Sequence, residues 1–201
     1  MNTDTPDFLD TKDTKGKIFR VAASLFAEKG YNGVSMREIS ERTGLSKPTI
    51  YYYFGNKEGI YTSLVSTSLN YNVEIFQEIQ QKKVSIKQKI TELVKLRFRQ
   101  VQEYPDLAKF FVSLLNGTEK LPFLSELMEE AKSRRKMLVD LINEGIRTGE
   151  FGSSAKPELA AEIFIGSLMH FIQKQLNTSE SILTDALAAE IVELLFLGWN
   201  E

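Results

Sequence analysis

Thr43-Gly44-Leu45-Ser46-Lys47-Pro48-Thr49-Ile50-Tyr51-Tyr52-Tyr53-Phe54 is the stretch on which the reading of this chain turns. Gly44 can take a positive φ without steric cost, so Thr43-Gly44-Leu45 reads as a tight turn. Ser46 can cap a new helix, and Pro48 fits its first turn, where no backbone N–H is needed. Ile50 and Phe54 lie four apart and can pin that helix along one side. Lys47, Thr49, Tyr51 and Tyr52 then have room to face outward. Consecutive helical residues point about 100° apart, so the three tyrosines cannot all share one buried face. For Tyr53, core packing and exposure remain equal alternatives.

Upstream, Ser35-Met-Arg-Glu38 has the spacing of a capping box, in which each side chain satisfies the other's backbone N–H. It predicts a short helix from about Met36 to Arg42 that stops at Gly44. Before it, Ile18, Val21, Ala22, Leu25 and Phe26 form one apolar stripe of a helix that starts near Thr14 and ends at Gly30. Downstream, Asn56 can cap a further helix beginning at Lys57. Helix, turn, helix with few residues to spare is the layout of a DNA-reading element. Tyrosine and threonine hydroxyls hydrogen-bond phosphates, and their carbon bodies touch thymine methyls. Lys47 can reach a phosphate or a guanine edge. Lys57, near a helix N-terminus, sits where a phosphate is readily seated. For Arg37 the alternatives are a DNA contact and a surface ion pair with Glu41.

Charge fits this reading once it is divided. The 201 residues carry a net charge of −2. Residues 11–60 hold nine Lys/Arg against five Asp/Glu, while the first ten residues carry three acids and no base. A basic segment on an otherwise acidic protein suits local phosphate attraction, although an excess of four is modest.

The residues resemble a known family. Ile18-Phe-Arg-Val-Ala-Ala-Ser-Leu-Phe-Ala-Glu-Lys-Gly-Tyr31, Ser35-Met-Arg-Glu-Ile39, Gly44-Leu-Ser-Lys-Pro-Thr-Ile-Tyr-Tyr-Tyr-Phe54 and Asn56-Lys-Glu58 are similar, at the right spacings, to the N-terminal part of TetR/AcrR-type transcriptional regulators. The resemblance covers about residues 14–64. It implies that Lys47, Thr49 and Tyr51 face the major groove. It implies that Tyr52, Tyr53 and Lys57 hold the phosphate backbone, and that Arg37 approaches a base or phosphate from the preceding helix. Two departures stand out: Ser40, where the family usually has alanine, and Gly59, where it prefers a better helix former. By propensity alone Gly59 costs up to about 1 kcal/mol.

Beyond Ile60 the pattern stays helical, with candidates at about 57–81, 85–103, 105–116, 122–148, 157–177 and 180–199. Pro105, Pro122 and Pro157 sit near proposed starts, and Gly149-Glu-Phe-Gly152 marks a break. No run alternates as a strand does. The expected fold is therefore all-α: a three-helix helix-turn-helix head over 11–57, and a six-helix effector-binding and dimerisation body over 58–201. The last two helices are apolar nearly all round, from Leu159 to Ile172 and from Ile191 to Trp199, so each needs cover on two sides. A second subunit is read as that cover. The resemblance implies the same, a homodimer through a four-helix bundle, and with it a near-palindromic operator.

The middle of the chain offers candidate pocket residues, Tyr71, Phe98, Phe110, Phe111 and Met128 among them, and the family uses such a cavity for a small-molecule inducer. For each residue singly, core packing is the commoner role. His170, the single histidine, sits mid-helix among apolar neighbours, where it is either a ligand contact or a satisfied core or interface residue. One histidine and no cysteine leave only carboxylates for a metal, so neither a metal site nor a cofactor is expected. No nucleophile–base pairing argues for an enzyme. Nothing reads as a signal peptide or a bilayer-length apolar run, and a cytoplasmic regulator is expected. The effector, the operator and the choice between repressor and activator are not legible.

Overall fold

The structure, a computed structural model, describes residues 13–116, 121–152 and 156–197, without the side chains of 126–128, 130, 131, 133, 134 and 197. The Met128 side chain, Trp199 and the first two residues of the expected head lie outside that description. Its helices are α1 (Thr14–Lys29), α2 (Met36–Thr43), α3 (Lys47–Phe54), α4 (Lys57–Gln80), α5 (Ile86–Glu103), α6 (Pro105–Asn116), α7 (Ser125–Arg147), α8 (Pro157–Leu176) and α9 (Asp185–Leu197), with a 3-10 turn at Pro122–Leu124. Among the described residues there is no strand.

Helix ends follow their caps. Gly30 closes α1 at φ 68° and donates its N–H to the Phe26 carbonyl. Gly44 closes α2 in the left-handed region. Ser46 accepts from Thr49 N at the start of α3, and Asn56 Oδ1 accepts from Gly59 N at 2.7 Å at the start of α4. Only half of the capping box forms. Ser35 Oγ accepts from Glu38 N at 3.2 Å, but the Glu38 carboxylate turns to Lys29 and ties α2 to the end of α1. The last helix also begins later than the apolar pattern predicts. Gln175 Oε1 accepts the N–H groups of Ile182 and Leu183, and Gln102 donates to Ser181 Oγ and the Leu183 carbonyl. The side chains thus hold 181–183 outside the helix, and Thr184 caps α9 instead through Leu187 N.

The contacts divide the chain into two compact units. One comprises residues 1–72 and 104–128. In it α1 packs against α2 and α6, and α2 packs against α3. Its core joins Ile18, Phe26, Ile39 and Ile50 with Ile60, Tyr61 and Leu64 of α4 and Phe110 of α6. The short helices therefore close their core only with help from residues well along the chain. The second unit comprises 73–103 and 129–201, where α5 packs against α8 and α9. Phe151 stacks on Phe196 at 4.2 Å, and Glu150 accepts the first N–H groups of α5, those of Ile86 and Lys87.

Gly59 has a steric duty that helix propensity does not reveal. A Cβ at this position would lie 1.9 Å from the Phe54 carbonyl oxygen, because α3 turns directly into α4. Gly59→Ala should therefore destabilise the fold, by about 1–3 kcal/mol, against the gain that propensity promises. A urea midpoint shifted downward supports this, and an upward shift refutes it.

Candidate nucleic-acid interface

α3 is fastened from below and open above. Ile50 is fully buried and Phe54 packs on Phe19 with ring centroids 5.2 Å apart. Burying a side chain of this size is worth about 1.5–3 kcal/mol, ample to seat an eight-residue helix. Thr43, 1% exposed, stitches the turn: its hydroxyl donates to the Ile39 carbonyl at 2.7 Å and accepts from Leu45 N at 3.3 Å. Ser40 donates to the Leu45 carbonyl at 2.6 Å, a bond that alanine could not make. The departure from the usual residue thus has a local purpose in fixing the angle between α2 and α3.

The three tyrosines all reach solvent, at 44%, 84% and 36% exposure for Tyr51, Tyr52 and Tyr53. Tyr52 and Tyr53 meet edge-on at 5.3 Å. The buried alternative for Tyr53 is thereby removed. Lys47 is exposed beside them. Thr49 is half-buried, with its hydroxyl bonded to Ser46 Oγ at 2.8 Å. On α2, Arg37 pairs with Glu41 at 3.5 Å, both well exposed. Such a pair holds little energy, so its guanidinium remains exchangeable toward a phosphate.

Lys57 differs from the expectation of an open phosphate seat. Its ammonium donates to the Tyr31 carbonyl at 2.7 Å and the Val34 carbonyl at 2.8 Å, and lies 4.2 Å from the Tyr31 ring centroid. Tyr31 in turn meets Tyr61 and Phe123, so the α1–α2 connection is tied to α4 and the 3-10 turn. Burial, aided by the Glu58 carboxylate, pushes the Tyr31 phenol above its usual value and keeps it neutral. Sequence reading missed this anchor because its acceptors are backbone carbonyls some two dozen residues away. Lys57→Met keeps the stem and removes the donor. It should cost about 1–3 kcal/mol of stability, and weaken operator and random DNA alike. An unchanged unfolding midpoint would contradict the anchoring role.

The expected pocket residues differ in their surroundings. Phe110 and Phe111 adjoin at 5.2 Å, and Phe110 meets Tyr61 and Phe26 in the first unit's core. Tyr71 is half-buried on α4, while Phe98 is buried in the second unit. His170 is exposed on α8, which excludes the core alternative for it. Among the described residues no cluster of His, Asp or Glu is arranged to hold a metal ion, and no helix is long and apolar enough to cross a membrane.

Comparison with known proteins follows the same division. Residues 18–64 match the model of the bacterial regulatory proteins of the tetR family. Over 182 residues the chain is 25% identical to the fatty acid metabolism regulator protein of Bacillus subtilis, covering 90% of this chain and 93% of that one. It is 23% identical over 149 residues to the HTH-type transcriptional repressor KstR2 of Mycobacterium tuberculosis, covering 74% and 72%. The fold matches the crystal structure of the Bacillus subtilis regulator FadR in complex with stearoyl-CoA, with a TM-score of 0.76, 24% identity, and coverage of 90% and 97%. An exposed tyrosine-bearing helix on a pinned helix-turn-helix, inside the segment 18–64 that matches the family model, leads to one conclusion: the chain carries the DNA-binding region of the tetR family of bacterial regulatory proteins and is a DNA-binding transcriptional regulator.

Proposed function

We propose that this DNA-binding regulator is a homodimeric repressor, released from a near-palindromic operator by a small-molecule effector. The observation that carries the proposal is α3, whose outward side presents Lys47, Tyr51, Tyr52 and Tyr53 while Ile50 anchors it. Lys47, Thr49 and Tyr51 read base edges in this scheme. Tyr52, Tyr53 and Arg37 grip phosphates, and Lys57 holds the frame on which they stand. Residues 11–57 do the reading, and 58–201 bind effector and partner.

Dimerisation through α8 and α9 is supported by the apolar surface they leave open. Leu159 is 55% exposed, Ile163 48% and Leu194 71%. Leu159, Ile163, Gly166 and His170 recur at helical spacing along one exposed side of α8. Such a stripe on a water-facing helix is an unfilled interface.

The effector is proposed to be a long-chain acyl compound, on the strength of the fatty-acid regulator that the chain resembles over nine-tenths of its length. Binding shifts the body toward a state whose head spacing no longer fits successive grooves, at a coupling of about 1–3 kcal/mol. No catalytic step is assigned to the chain, and a cytoplasmic setting suits a DNA partner. Enrichment of bound genomic fragments defines the operator. Operator affinity is then followed while hexadecanoyl-CoA and hexadecanoate are titrated. A fall of about 5- to 150-fold is expected, and constant affinity with both would refute acyl induction.

A further inference from the structure

α8 carries a glycine that nothing in its own chain requires. Gly166 stands at the middle of the helix, which runs from Pro157 to Leu176. Glycine loses more backbone freedom on folding than any other residue, so it weakens a helix unless something needs the missing side chain. Elsewhere that need is visible. A Cβ on Gly59 would strike the Phe54 carbonyl, and one on Gly145 would lie 2.2 Å from the Phe151 ring. Gly44, Gly55 and Gly149 hold positive φ. Gly166 has neither reason: its φ is not positive, it is exposed, and a Cβ built on it meets no atom within 4 Å.

The neighbours on the same face say what the bare backbone meets. At about 100° per residue, Leu159, Ile163, Gly166 and His170 fall within about 60° of arc on α8. Leu159 and Ile163 are both exposed. None of the four is an acid, a lysine or an arginine, so the stripe can face its own copy without like charges opposing, as a two-fold contact demands. The DNA reading also calls for a second copy, because helix-turn-helix proteins take their second half-site from one. Helix axes approach to about 8–10 Å, the closer value where the contact residues are small. One small residue at the centre, with larger ones on either side, suits helices that cross there and not helices that lie side by side.

We infer that α8 of one protomer crosses α8 of a second copy, antiparallel and with closest approach at Gly166, so that the two-fold axis of the dimer passes beside this residue. The Ile163 side chains of both copies then close over the contact on either side of the axis. A side chain at 166 holds the helices apart, and the glycine serves the dimer at the expense of the single helix. This inference rests on dimerisation through α8 and α9 and names the residue at its axis.

The full-length chain has no cysteine, so one introduced thiol reports on its own copy alone. With Cα atoms about 2.3 Å from each helix axis and axes about 8 Å apart, the two 166 positions come within about 4–6 Å, the Cα spacing of a disulfide. Gly166→Cys should therefore link into a covalent dimer under mild oxidation, read on a non-reducing gel. Leu159→Cys and Lys174→Cys lie about 10 Å or more along the helix from the crossing, so each stands about 20 Å or more from its copy and should stay unlinked. Gly166→Leu should raise the dimer dissociation constant about 10- to 100-fold by sedimentation. Its helix content by circular dichroism should be unchanged, since a side chain there begins in open space within its own chain. A dimeric wild type whose Gly166→Leu variant associates as tightly overturns the crossing at Gly166. So does linkage of Leu159→Cys or Lys174→Cys in place of Gly166→Cys, and in both cases dimerisation itself survives. A wild type that sediments as a monomer removes the dimer and its axis together.

Discussion

Tyr51→Ala should weaken operator binding by about 1–3 kcal/mol, with the unfolding midpoint left in place. Tyr51 is 44% exposed and sits on a helix whose attachment comes from Ile50 and Phe54. Removing its ring deletes surface that the free protein shows to water, so little folding energy is lost. In the complex the same ring is expected against base edges, where its loss removes discrimination and only a small part of non-specific affinity. Ile50→Ala supplies the opposite signature. A fully buried isoleucine truncated to alanine costs about 2–5 kcal/mol of stability, and operator and random DNA should weaken together as α3 loosens. Anisotropy titrations with operator and scrambled duplexes, beside urea unfolding, separate the two. If Tyr51→Ala lowers the midpoint as much as Ile50→Ala does, the outward reading of the tyrosines fails.

The contrast between these neighbours also indicates what a sequence can disclose. Local signals were legible: Gly30, Gly44, Ser35, Ser46 and Asn56 mark helix ends, and the structure places the ends there. Their information is carried by residues within one turn, so spacing suffices to read it. The duties of Lys57 and Gly59 were hidden for the opposite reason. One depends on the carbonyls of Tyr31 and Val34, the other on the approach of the Phe54 carbonyl, and neither backbone path is written in side-chain pattern. The start of α9 was misread because 180–184 lack any helix breaker. What holds 181–183 out of the helix is Gln175 and Gln102, side chains from other helices. Tyr71, Phe98 and His170, proposed together from composition, differ in burial, being half-buried, buried and exposed, because aromatic content has no directional information.

Leu194→Glu should convert the protein from dimer to monomer and lower operator affinity by about two orders of magnitude or more. At 71% exposure Leu194 contributes little to the fold of a single chain, so circular dichroism and helix content should persist. In a two-fold interface the same position is covered. Each copy would then bury a carboxylate beside Leu159- and Ile163-type surface, with no cation supplied to meet it. The cost counts twice, once per protomer, and association fails before folding does. DNA binding follows because two heads on one dimer act as a linked pair: the second half-site is engaged at high effective concentration, and a monomer forfeits that advantage. Sedimentation at micromolar concentration and operator titration therefore report one event. The Tyr51 variant provides the complement, since it should remain dimeric while losing sequence preference. If Leu194→Glu sediments as a dimer with unchanged operator affinity, the cover of α8 and α9 is not a second copy, and the spacing of the heads must be set elsewhere.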